Sequence, residues 1–334
     1  MIQLGDCKIK KNVFYVAIPV LKPFPVDCFN YDFHERILDE IQNLEGSYFV
    51  EGVTIEYKSR PDVENFSHIT QLLSPRRHGF NRMFVVQMSF FNASHLIKPY
   101  DRLSAEECFF FSMFSYLSTF VYAFAYALGI YSEGLFDIDE SIIFYEDGSW
   151  KKNSRILNTF PSLYEKDGEF CRPETGLSLK KTLNWFLSID DVLNSCGMSA
   201  LGKSLSIYSR MFSYGAWDDD SFMSGLLSVM ALEALYESNG SRKSLTEKIS
   251  AFLDIDMQKC EKDIKKIYDH RCSVAHGGFE FPFKFDVKDA SKEFETSYDK
   301  AQKFFDIGLR YLFKSYRKMI LENKKELTFA YRCL

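Results

Sequence analysis

The chain predicts an α+β domain followed by an all-α antiparallel helical bundle, and three observations carry that prediction. A length of 334 residues exceeds what one ordinary core organises, so two domains are expected. The first hundred residues hold three runs rich in β-branched and aromatic side chains, Val13–Val20, Tyr48–Tyr57 and Met83–Phe91, the composition that suits a pleated, half-buried strand. Beyond about residue 196 the pattern changes: apolar residues recur every three or four positions and proline appears only at Pro282, as helices require. The expected division is 1–190 for the α+β domain and 196–334 for the helical one.

Taken in order, the three strand runs come first, with a short helix over Asp32–Leu44 between the first two. A long helix follows at about 104–129. Ser141–Tyr145 and Ser149–Lys152 flank Glu146-Asp147-Gly148, a turn sequence that signals a hairpin. Residues 153–180 carry Pro161, Gly168, Pro173 and Gly176 and read as the linker, with a helix near 179–194 leading out. Four helical stretches complete the chain, at about 198–213, 220–238, 244–253 with 259–276, and 289–322. The last repeats Phe294, Tyr298, Ala301, Phe305, Leu312 and Met319 along one stripe. Gly277-Gly278 ends the third, since glycine takes the left-handed conformation that stops a helix.

Composition narrows the function classes. Hydrophobic residues make up 46% and charged residues 26% of the chain, the profile of a soluble globular protein. A net charge of -5 argues against a broad, non-specific nucleic-acid or membrane binder. The eight cysteines form no Cys-x2-Cys pair and there is no His-Glu-x2-His, so neither a metal nor a cofactor is expected, and the cysteines read as reduced in a cytoplasmic protein. Cys108–Ser132 carries no formal charge and is long enough to span a bilayer. Ser112, Ser115, Thr119, Tyr122 and Tyr126 draw a polar stripe down it, however, so it reads as a helix of a soluble protein.

Other motifs are weaker. Gly197-x4-Gly202-Lys203-Ser204 matches a phosphate-binding loop in letters, but such a loop follows a strand, and here helices are expected on both sides. Arg76, Arg77, His78 and Arg82 form a small basic cluster, and Arg310, Lys314 and Arg317 share a face of the last helix. Both read first as solvated surface, with phosphate contact as the alternative.

The stretch richest in chemistry is Tyr268-Asp-His-Arg271-Cys272-Ser273-Val-Ala-His276-Gly277-Gly278. It sets an arginine and a histidine five residues apart at a helix end. Upstream lie the apolar helix Leu226–Tyr236, which carries Ala-Leu-Glu233-Ala-Leu, and the segment Leu245–Leu253. In this order the residues resemble the HEPN superfamily, and within it the ApeA-like branch, over about residues 196–325. The resemblance implies a helical bundle paired with a second copy. In active members, Arg and His from both copies line one cleft that cuts RNA without metal. That places Arg271 and His276 as catalytic residues. Tyr268 and Ser273 stand beside them in support, as does Glu233, which falls on the apolar face of its helix with Leu226, Val229 and Tyr236 and, as a buried carboxylate, needs a partner such as Arg271. The resemblance further implies bacterial anti-phage defence or a growth-arresting toxin. A phage or host protein would act as trigger at the N-terminal domain, with no membrane involved. Members often carry Asn, Asp or His directly after the Arg; here that position is Cys272, and Ser273 beside it supplies a hydroxyl. The tyrosine that some toxins present two residues after the His is replaced by Gly278.

The residues support the same chemistry on their own. RNA is cut when its 2′-hydroxyl attacks the adjacent phosphate, which needs a base, an acid and positive charge on the phosphate. Histidine moves protons near neutral pH, and the arginine fork matches phosphate oxygens. Five residues on a helix turn through about 500°, so the two side chains diverge by roughly 140°. A second copy across a twofold axis would complete the site. The alternative is a non-catalytic scaffold that binds RNA or protein, with Arg271 paired to a core acid and His276 capping its helix.

Overall fold

The computed structural model describes residues 13–21, 31–70, 82–93, 103–133, 137–138, 140–149, 151–155, 175–193, 196–213, 221–278 and 292–329. The basic cluster at residues 76–78 lies outside them. An N-terminal antiparallel sheet is followed by a mostly helical C-terminal region. The described residues divide into two compact units, one built of those up to residue 155 together with Ser178–Leu193, and one of residues 175–177 and those from 196 onward.

The sheet is organised by β1 (Val13–Leu21). Phe14, Tyr15, Val16, Ala17, Ile18 and Val20 are all buried, so both faces of this strand are apolar and it belongs in the middle. Around it stand β2 (Glu45–Val50), β3 (Val53–Arg60), β4 (Arg82–Phe91), β6 (Glu140–Phe144) and β7 (Lys151–Arg155) in the order β2-β3-β4-β1-β6-β7, and the short β5 (Asp137–Ile138) also pairs with β1. Neighbours along that path are antiparallel. Tyr48–Tyr57, expected as one strand, is a hairpin. Val50 pairs with Val53, and the two residues between them, Glu51 (φ 47°) and Gly52 (φ 82°), are left-handed. That is the backbone whose twist suits a two-residue hairpin. The β6–β7 turn is longer than expected, because Phe144 pairs with Lys151.

The face bearing Phe14, Tyr57, Met88 and Phe90 is covered by α3 (Ala105–Ser132). Phe14 packs its ring on Phe109 and Phe110 at 5.7 and 5.5 Å, and Tyr57 meets Phe120 at 5.0 Å. α3 starts at a full capping box: Ser104 Oγ accepts from the Glu107 amide, and the Glu107 carboxylate accepts from the Ser104 amide. Among the described residues it is the one helix long and apolar enough to cross a membrane. One side, from Phe109 through Met113, Leu117, Phe120 and Phe124, is buried, while Ser115 and Tyr122 are exposed, so the polar stripe faces outward. α1 (Tyr31–Gln42) and α4 (Leu179–Phe186) join it through Glu40. One Glu40 oxygen accepts from Tyr131 Oη at 2.8 Å and the other from the Leu179 amide at 2.7 Å. The helix expected at 179–194 is in fact two, since α4 stops at Leu187 and α5 (Asp190–Leu193) restarts. On the opposite face Phe66, from the turn Val63–Phe66 that precedes the helical turn α2 (Ser67–Thr70), seals Tyr15, Val85, Ile142 and Phe144.

The helical unit holds α6 (Ala200–Ser213), α7 (Ser221–Tyr236), α8 (Arg242–Leu253), α9 (Met257–Ala275) and α10 (Lys292–Leu321). α7 is its axis and packs on the other four. Close approach is bought with small residues: Gly308 of α10 faces Ser228, and Gly225 leaves room for the buried His270 ring. Ser241 caps α8 and Asp256 caps α9, each side chain accepting a backbone amide three residues on, which starts both helices two residues earlier than expected. Inside, Tyr236 Oη meets Ser315 Oγ at 2.7 Å and Ser204 Oγ meets Tyr316 Oη at 2.6 Å. Burying a hydroxyl without a partner is costly, and these pairs satisfy one another.

Candidate functional site

α9 turns Cys260, Ile264, Ile267, Tyr268 and Val274 inward. Arg271 lies three residues past Tyr268 and so shares its flank. α7 presents Glu233 to both. The Tyr268 hydroxyl donates to Glu233 Oε1 at 2.6 Å. Arg271 Nη2 stands 3.8 Å from Glu233 Oε2, an ion pair beyond hydrogen-bond length. The Arg271 guanidinium carbon lies 5.7 Å from the centre of the Tyr268 ring, close enough for a cation–π contact. Arg271 Nε is buried and has no hydrogen-bond partner among the described residues. Charge and an aromatic face therefore hold this guanidinium, and among the described residues Nε stays without an acceptor. Burial, reinforced by the Glu233 carboxylate, pushes the Tyr268 hydroxyl well above its ordinary pKa of 10.0, so Tyr268 remains a donor through the physiological range.

His276 caps α9. Its amide donates to Cys272 O at 3.0 Å, its ring is exposed, and Gly277 (φ 70°) turns the chain away. Gly278 folds back over Ser273: a Cβ placed there would lie 3.5 Å from Ser273 Oγ. Cys272 and Ser273 are half-buried. The structure thus gathers Arg271, Glu233 and Tyr268 and leaves His276 apart. Among the described residues no hydrogen bond, ion pair or ring contact joins Arg271 to His276.

No family model, curated protein or solved structure matches the chain. Its site is read from its own geometry.

α7 adds a feature that motif reading passes over. Met223 and Met230 are 36% and 39% exposed, and Leu226, Leu227 and Ala234 are half-buried. At 100° per residue these positions, with Glu233 at the margin, span an arc of about 120°. A helix apolar on every side is normally buried on every side, yet this stripe reaches solvent, with the Arg271 partner Glu233 at its edge. The signal was in the sequence, because Leu226–Tyr236 has no polar face.

The remaining candidates resolve differently. Gly197–Ser204 forms the start of α6: Ser199 Oγ accepts from the Gly202 amide at 2.9 Å, and Ser204 is buried, donating to Ala231 O at 2.7 Å. A phosphate-binding loop would offer that hydroxyl to a metal, and here it is spent on the core. A cavity of about 460 Å³ opens beside this helix start, lined by Ala200, Leu201, Lys248, Lys325 and Phe329 among others. Lys248 already donates to Tyr236 O and Glu237 O at 2.8 and 3.0 Å. The basic face expected on α10 is interrupted, because Arg317 is only 3% exposed: α10 packs on α7, α8 and α9, which leaves too narrow an outer face for the whole row. Among the described residues no three His, Cys, Asp or Glu come together as a metal would require.

Proposed function

We propose that the chain is a metal-independent endoribonuclease that acts as a homodimer through its helical unit. The observation that carries this reading is Arg271, a half-exposed guanidinium that, among the described residues, has one loose ion pair and no acceptor for Nε, on the helix that ends in the exposed His276. A guanidinium in that state suits a phosphate, and an exposed imidazole suits proton transfer. In the proposed mechanism one His276 takes the proton from the 2′-hydroxyl and the partner copy's His276 protonates the departing 5′-oxygen. The arginines hold the crowded phosphate. The products are a 2′,3′-cyclic phosphate and a 5′-hydroxyl. The apolar α7 stripe beside Glu233 supports pairing at this face. The resemblance to ApeA-like HEPN proteins favours a cytoplasmic role in anti-phage defence or toxin-driven growth arrest, with a phage or host protein sensed by the N-terminal unit.

The test is total RNA incubated with purified protein in EDTA. Wild type is expected to cleave, and Arg271→Ala and His276→Ala to lose at least a hundredfold in rate, the scale of a lost acid–base group. No cleavage by wild type, or equal cleavage by His276→Ala, sinks the reading. Cys272, at a position that is commonly polar in the family it resembles, favours the second reading, a scaffold that binds RNA without cutting it. A gel shift without product, unchanged in His276→Ala, would select that one.

A further inference from the structure

Building on that reading, we propose that Tyr268 is a positioning residue for Arg271: its hydroxyl occupies one oxygen of Glu233 and so keeps the carboxylate from closing onto the guanidinium. A carboxylate and an arginine left to themselves form two parallel hydrogen bonds. Here they do not. Glu233 Oε1 is taken by Tyr268 at 2.6 Å, and Oε2 stands off Arg271 Nη2 at 3.8 Å. Arg271 Nε, the donor that a second bond would use, is buried with no acceptor among the described residues. A buried donor without an acceptor is unfavourable, so the resting guanidinium is short of acceptors, and its solvent-reaching part is what a ligand phosphate meets. The Glu233 charge keeps Arg271 oriented, and the Tyr268 hydroxyl limits how tightly it is held. Without that hydroxyl, Glu233 Oε1 loses its donor, and the Arg271 guanidinium, already 3.8 Å from the other oxygen, can take its place. The arginine would then be spent on Glu233, and substrate would have to compete for it.

Tyr268→Phe isolates the hydroxyl, since phenylalanine keeps the ring that faces the guanidinium at 5.7 Å. The expected result is a fall in RNA-cleavage kcat/KM of about tenfold, the weight of roughly one charged hydrogen bond, expressed mainly in KM. The double variant Tyr268→Phe/Glu233→Gln removes the charge that would capture Arg271 and is expected to regain at least threefold over Tyr268→Phe. A purely structural role predicts the opposite order, because the double variant removes more of the native contacts; thermal unfolding of all three proteins records that loss separately. Binding of a fluorescein-labelled 2′-O-methyl oligoribonucleotide, which keeps the phosphates and lacks the attacking hydroxyl, reads the same competition without turnover. Its affinity should fall in Tyr268→Phe and recover in the double variant. Wild-type kinetics and affinity in Tyr268→Phe, or no recovery in the double variant, overturn the proposal. If wild type binds the oligonucleotide but cuts no RNA, the ribonuclease reading falls and the binding series still decides the role of Tyr268. If wild type does neither, both fall.

Discussion

Gly308→Ala tests whether α7 and α10 are as close as their small residues require. A Cβ built on Gly308 would lie 2.1 Å from Ser228 Oγ and 2.8 Å from Ser228 Cβ. The hydroxyl can rotate away by giving up its 2.8 Å bond to Gly225 O. The Cβ cannot, so the helices must separate. Overpacking of this kind costs about 3 kcal/mol at the upper end of its range. Alanine in place of glycine inside a helix returns about 1 kcal/mol, which leaves a net loss of about 2 kcal/mol. With a urea dependence of about 2 kcal/mol per molar, the midpoint of the helical transition, followed by far-UV circular dichroism, should fall by about 1 M. The swap Ser228→Gly/Gly308→Ala moves the side-chain carbon to the other helix and should recover part of that shift. A Gly308→Ala midpoint at or above wild type would refute the packing argument, because the propensity term would then be acting alone.

Ser104→Ala should destabilise the N-terminal unit by about 1 kcal/mol through loss of the α3 cap, measured by denaturant unfolding. The Ser104 amide and hydroxyl hold the Glu107 carboxyl below its ordinary pKa of 4.5, so the carboxylate's own part in the cap is present above the unfolded value and is lost as pH falls through the lower folded one. The gap between wild type and Glu107→Gln should accordingly close in acid, and a pH-independent gap would reject the capping account. Met230→Lys places a charge in the exposed α7 stripe; if pairing uses that stripe, light scattering should show a dimer weakened at least tenfold, with cleavage recovering at high protein concentration. An unchanged dimer would move the interface elsewhere. RNA cleavage should depend on Arg271 and His276 and persist in EDTA.

Periodicity and capping made most of the fold legible. The two-face burial of β1, the uncharged length of α3 and the apolar repeats of the helical unit each follow from side-chain spacing along one segment. The Glu51-Gly52 turn was not legible, because only the glycine advertises a left-handed backbone and Glu51 adopts one without any mark in the sequence. Arg317 looked like a surface cation for a related reason: a helical repeat says which residues share a face, while the number of neighbours decides how much of that face stays outside. Glu233 could be anticipated as a carboxylate on an apolar helix that needs a partner. That its first partner is the Tyr268 hydroxyl, 35 positions away, depends on the register of α7 against α9, which no local pattern encodes.

The same register bears on why one copy would make a poor nuclease. Arg271 is drawn toward α7 by Glu233, on the flank it shares with Tyr268. His276 lies beyond the last turn, just ahead of the left-handed Gly277, about 140° around the axis and about 7.5 Å further along it. Phosphodiester cleavage needs a base at the 2′-oxygen, an acid at the 5′-oxygen and a cation between them, all within hydrogen-bond reach. One imidazole and one guanidinium on diverging flanks cannot cover both sides of a phosphate. A twofold operation duplicates both groups without further sequence, and it can set His276 of each copy opposite the other when the axis passes near α9. The apolar α7 stripe has Glu233, the ion-pair partner of Arg271, at its margin, so a pairing surface there would also bring the two half-sites together. Assembly would then be the step that makes the site competent, and control of activity would act on the association of the helical units.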